Sequence, residues 1–303
     1  MSELHILNGD HALELWKKCD FSAQSLVWKE TYLEGPLPQT EDIHIFRSAR
    51  AEFLATFAEL SAVDREALYR HLQKMDDAVL KLPPGSILML WFDACIFDQT
   101  ILMRILSLLS LREHGLPEIF LYCCDGNCLS IDDFQRGKLE KVRLTPEDLK
   151  FAGKAWQAFA AKDAAAMTQL AEAEKSGNLS KMKKSLLRCA EEVPGHDGLN
   201  RSQRQILQLI AGGKTSFEEI FSGIAAFEEF PFLGDTACLR LLEDLQRKGM
   251  ISITQKEVHD GREDKVESLF FQLGATDLSI FNQQSADNIT CCAAHCNFPA
   301  VDL

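Results

Sequence analysis

Four short apolar runs, at residues 4–7, 25–29, 87–92 and 118–124, constrain the fold more than any other feature of the chain. Helix-like text and turn residues separate each run from the next. Strands alternating with helices predict an α/β domain, a Rossmann-like parallel sheet joined by crossover helices. The first helix is expected over 10–19, with Asp10 as its N-cap. Between the second and third runs, residues 43–60 and 63–82 read as a helical insertion that stops at Pro83-Pro84-Gly85. A further helix is expected from 98 or 99 to about 114.

The character changes after Gly126. Residues 145–193 are alanine-rich and helical, and Thr145-Pro146-Glu147-Asp148 has the form of a helix start with a reciprocal cap. "VPGHDG" at 193–198 marks a boundary. Beyond it, three helical stretches precede two strand-like runs joined by a turn containing Asp260-Gly261, which is the order of a winged helix. The expected layout is a Rossmann-like domain over 1–144, a helical connector over 145–198, a mostly helical winged-helix-like domain over 199–274 and a flexible tail over 275–303.

Ligands of open parallel sheets bind beyond the carboxyl ends of the strands. There the chain places Asn8, Gly9 and Asp10; Glu30, Glu34 and Gly35; Asp93, Asp98 and Gln99; Asp125 and Asn127. Every strand exits into a carboxylate. One reading is a pocket for a small polar or nucleotide-derived ligand, with Asn8, Gly9 and Asp10 as the first-strand contact and Glu30, Asp93, Asp98 and Gln99 completing it. A second is a Mg²⁺ or Mn²⁺ site built on Asp10, Glu30 and Asp93, serving hydrolysis of a phosphoester or glycosidic bond. A third is purely structural, with Asp10 and Asp98 as helix caps. The dinucleotide fingerprint, the P-loop and the common nucleophile motifs are absent.

The net charge of −13 argues against a nucleic-acid or anionic-membrane footprint. A winged helix raises the alternative of a transcriptional regulator on DNA, but the stretch is itself acidic, with nine Lys/Arg against twelve Asp/Glu over 199–273, so signalling through protein contacts or self-association fits it better. No signal peptide or membrane span is visible, and ten cysteines without one suggest free thiols in the cytoplasm. Cys123, Cys124 and Cys128 form one cluster; Cys291, Cys292, His295 and Cys296 form another, without the spacing of a common structural zinc site.

In order, "HILNGD", "VWKETYLEGPLP", "LWFDACIFDQ", "GLNRSQRQIL" and "FPFLGD" resemble a bacterial family catalogued only as a domain of unknown function, with its usual C-terminal companion domain. The resemblance covers about residues 4–250 and implies the two-part layout. It implies no activity and no catalytic residue.

Overall fold

The computed structural model describes residues 2–57, 65–112, 115–126, 128–173, 177–230, 232–259 and 265–274. The expected tail, the cysteine cluster at 291–296, Asn127 and the Asp260-Gly261 turn lie outside the described residues. The chain divides into two compact units. The first holds Met1–Asn200 with Phe230–Phe232; the second holds Arg201–Glu229 and the described residues from Leu233 onward.

The first unit runs β1 (Glu3–Leu7), α1 (Asp10–Lys17), β2 (Gln24–Val27), α2 (Ile43–Phe57), α3 (Arg65–Leu80), β3 (Ile87–Phe92), α4 (Ile96–Ser110), β4 (Glu118–Cys123), α5 (Ile131–Glu140) and β5 (Val142–Arg143). Three further helices follow: α6 (Pro146–Ala160), α7 (Ala164–Ala173) and α8 (Ser180–Ala190). The sheet order is β2-β1-β3-β4-β5. The first four strands are parallel, while β5 is antiparallel to β4. The expected α/β class with a mostly parallel sheet is therefore present. Chain direction across the sheet reverses between β1 and β3, which makes the carboxyl ends of those neighbours the switch point.

Register fixes the level of that edge. Leu7 is paired with Trp91, and Trp91 with Tyr122. The next residues, Asn8, Phe92 and Cys123, therefore leave the sheet side by side. Strand alternation sends Leu7, Met89, Trp91 and Tyr122 to one face, where they pack with Trp16 of α1 and Phe134 of α5. Leu88, Leu90 and Phe92 are buried on the other face. That face carries α4, of whose 15 residues 13 are buried. A helix buried all round must be enclosed by others, and α3, α6 and α8 pack on it.

Several local expectations need correction. Gly9, not Asp10, is the N-cap of α1, and no side chain caps it; Asp10 is the first helical residue. Helix α4 begins at Ile96, capped by Cys95, so Asp98 is not its cap. The two-residue β5 was not expected. Residues 145–198, expected as a helical connector, group with the first compact unit, and α6 lies along α4. The Thr145 start is as expected: its hydroxyl accepts from Asp148 N at 3.2 Å, and Asp148 Oδ2 accepts from Thr145 N at 2.9 Å.

The second unit runs α9 (Arg201–Ala211), α10 (Phe217–Ala225), α11 (Asp235–Arg247), β6 (Ile251–His259) and β7 (Lys265–Leu273). The strands form an antiparallel pair in register from Ile251–Leu273 to His259–Lys265. Ile206, Ile220, Leu242, Leu245 and Phe271 are buried. Three helices and a hairpin thus occur in the expected order. Among the described residues, no helix is long and apolar enough to cross a membrane.

Candidate functional site at the strand carboxyl ends

Asn8, Asp93, Asp98 and Gln99 come together at the switch point. Asn8 Nδ2 donates to Asp98 Oδ2 at 2.6 Å and to Asp93 Oδ2 at 3.3 Å. Asp98 Oδ2 also accepts from Asp93 N at 2.8 Å, and Asp93 Oδ1 accepts from Cys95 N at 2.8 Å. Gln99 Nε2 donates to Asp93 O at 2.5 Å and to Cys123 Sγ at 3.3 Å. Asp93 and Asp98 are 2% and 4% exposed, so the two carboxyl groups face each other nearly without water.

That proximity has an electrostatic consequence. Burial raises Asp98 well above the ordinary carboxylate range, and the neighbouring Asp93 charge raises it further. Burial also raises Asp93, against hydrogen bonds that favour its ionised form. Two carboxylates in one dry site cannot both ionise cheaply, so the pair retains a proton where separate carboxylates would have lost theirs. Cys95 adds a third potential ligand: one atom each from Asp93, Cys95 and Asp98 lies within 4.8 Å of the others. Its thiol is held protonated, because burial and both aspartates push its pKa well up.

The other expected residues stand elsewhere. Glu30 is completely buried against Arg50. Its Oε1 accepts from Arg50 Nη2 at 2.7 Å and from Thr31 N at 2.8 Å. Arg50 also donates to the carbonyls of Thr31, Glu34 and Pro36, so the pair fastens the loop after β2. Asp10 is exposed and pairs with Lys29 Nζ at 2.6 Å. Asp10, Glu30 and Asp93 do not form a ligand group among the described residues. Gly9 is extended, with φ 176°, a conformation open to any residue, and a Cβ there would meet nothing within 4 Å. No close approach requires that glycine.

Beyond the end of β4 is a cavity of about 410 Å³, lined in part by Gln99, Cys123, Asp125, Asp133, Arg136 and Lys181. Gln99 links it to the aspartate pair. Lys181 lies in the first turn of α8, where a positive charge opposes the helix dipole. The carbonyls at the end of β4 compensate. Lys181 Nζ donates to Cys123 O at 2.5 Å and Cys124 O at 2.8 Å, and meets Asp125 Oδ1 at 2.8 Å. That ion pair holds the Asp125 carboxyl below the ordinary range. Burial pushes the Cys123 thiol up to about 12, so it is no nucleophile at neutral pH. A more open hollow on α7, lined by Ala164, Ala165, Thr168, Gln169 and Glu172, presents no buried polar group.

Lys181 and Cys95 were not among the expected site residues. For Lys181 a signal existed: "SKMKK" puts cations at the start of a helix, where acids are favoured.

No family model and no curated protein matches the chain. Among solved structures, it is similar to the Orc1 protein of Aeropyrum pernix in complex with DNA, at 13% identity over 76% of this chain and 71% of that one. The TM-score is 0.22, an overlap that assigns neither fold nor activity.

Proposed function

We propose that the first unit is a cytoplasmic binder of a small polar, nucleotide-derived ligand held at the strand carboxyl ends, in the cavity beside Gln99 and Lys181. The observation that carries this reading is the buried Asp93–Asp98 pair at the switch point, joined through Gln99 to a polar cavity. Burying two carboxyl groups side by side costs stability, because they cannot both ionise there, and functional sites are where such arrangements concentrate. The lining offers both donors and acceptors, which suits a ribose, amine or amide better than a bare anion.

The test is thermal unfolding of the whole chain with nucleotides, nucleosides and sugar phosphates. A ligand at a hundred times its dissociation constant stabilises by about 2.7 kcal/mol. The shift should disappear in Lys181→Met and persist in Asp10→Ala. A panel without any shift would remove the reading.

A metal-dependent hydrolase is the second reading, now resting on Asp93, Cys95 and Asp98 in place of Asp10, Glu30 and Asp93. Their mutual distances favour it, and the thiol points to Zn²⁺ above Mn²⁺ or Mg²⁺. The same panel repeated with each metal separates the two, because a ligand shift that needs metal belongs to the hydrolase.

For the second unit, the order of three helices and an antiparallel hairpin supports a winged-helix-like module. Its excess of acids supports protein contact or self-association above a regulator's grip on DNA. Random duplex DNA at low salt tests this: a complex would favour the regulator.

A further inference from the structure

Away from the strand ends, the helical layer over α4 buries five charged side chains: Glu30, Arg47, Arg50, Asp76 and Arg104. Two pairs account for four of them. Arg50 holds Glu30 at 2.7 Å, and Arg47 Nε donates to Asp76 Oδ2 at 2.7 Å. Arg104 is left over. It is 7% exposed, its Nε is buried without a hydrogen-bond partner, and it enters no ion pair among the described residues. Asp76 is its counter-charge, since Arg104 is the largest of the charges that favour the ionised Asp76, but the hydrogen bond to that carboxylate comes from Arg47, which also meets Asp77 at 3.6 Å.

The surroundings of Arg104 give it an orientation. Its guanidinium carbon stands 4.2 Å from the centre of the Phe46 ring and 5.2 Å from that of Trp156. Tyr32 closes the aromatic group, 5.1 Å from Trp156 and edge-on to it. Stacking satisfies the faces of a guanidinium and leaves its in-plane N–H groups free. Those groups match the spacing of two oxygens of a carboxylate or phosphate. One residue before Tyr32, Thr31 Oγ1 is likewise buried without a partner. A buried guanidinium N–H without an acceptor is costly, and an aliphatic residue would fill the same space without that cost.

We infer that Arg104 is the anchor of a small-oxyanion site in the layer formed by α2, α3, α4 and α6, separate from the cavity at β4. The anion meets the free edge of the guanidinium, with Phe46 and Trp156 holding the plane. Its class is a single carboxylate or phosphate group, free or as the end of a larger molecule.

The experiment is thermal unfolding of the full chain, wild type beside Arg104→Met, in acetate, bicarbonate or phosphate against chloride at matched ionic strength. The wild-type midpoint rises saturably with acetate or bicarbonate if the site takes carboxylates, and with phosphate if it takes phosphoryl groups. The rise is lost in Arg104→Met, whose midpoint in chloride is no lower than that of wild type. Equal rises in both chains, or none in wild type, overturn the inference, as does a destabilised Arg104→Met that Asp76→Asn reproduces. Should Arg104→Met fail to fold, Arg104→Lys keeps the charge and loses the planar edge. Its half-saturating anion concentration then rises by at least about tenfold, and an unchanged value counts against the site.

Discussion

Asn8 Nδ2 and Asp98 Oδ2 are 2.6 Å apart, which ties the end of the first strand to the first turn of α4 across 90 positions of sequence. The same amide reaches Asp93 at 3.3 Å. Asn8→Ala leaves two buried carboxyl groups short of a donor and should cost about 1–3 kcal/mol. A double-mutant cycle with Asp98→Ala, measured by urea unfolding, should give a coupling of about 0.5–3 kcal/mol. Additive losses would show that the bond does not couple the two elements.

Asp98→Asn should change how stability depends on pH. The folded aspartate holds its proton more tightly than the unfolded one, since burial and Asp93 raise its pKa. Its contribution is therefore complete below the unfolded value, about 3.9, and is lost as pH rises through the folded value. Asparagine keeps an acceptor for Asn8 and supplies Asp93 with a permanent donor. The variant should equal or exceed wild type in stability at neutral pH and flatten the decline towards alkaline pH, read as urea midpoints across the range.

His5 should impose the opposite slope in acid. Its Nδ1 accepts the indole N–H groups of Trp16 at 2.8 Å and Trp91 at 3.2 Å, while Nε2 lies 3.0 Å from Glu3 Oε1. That pattern requires neutral imidazole with its proton on Nε2. Burial lowers its pKa from 6.5, with Lys141 adding to the effect and Glu3 opposing it. Stability is full above about 6.5 and falls as pH drops through the lower folded value. Tryptophan emission should report the loss as pH falls below about 6.5. The advantage of wild type over His5→Gln should shrink in the same window.

Gly137 should tolerate no side chain. It lies on α5 against the ring of Trp91, and a Cβ would overlap that ring and crowd Tyr122. Both aromatics are buried, so neither has room to retreat. Gly137→Ala gains helix propensity of about 1 kcal/mol, yet overpacking costs about 1–3 kcal/mol. Calorimetry should show a lower midpoint, whereas Gly177→Ala, with open space around it, makes a control.

The parts legible in the sequence were those written locally. Ile87–Phe92 is an unbroken apolar run, and Thr145 with Asp148 states its own cap. The two residues of β5 carry no such run, because an edge strand needs only a neighbour to pair with. The site was half legible for a related reason. A carboxylate after a strand reads the same whether it meets another carboxyl group, as Asp93 meets Asp98, or an arginine twenty positions away, as with Glu30 and Arg50. Tertiary pairing, which local sequence does not encode, set Glu30 against Arg50 and Asp98 against Asn8 and Asp93.

The short β5 also bears on how copies of this chain behave in crowded solution. It covers β4 only where Phe120 is paired with Arg143 and Leu121 with Val142, and Arg143 meets Glu118 at 3.2 Å. An incoming strand would find a two-residue ladder running against its parallel neighbours and flanked by charge. Such an end offers little template for runaway strand addition, so this margin of the sheet is guarded against fibril growth by being brief.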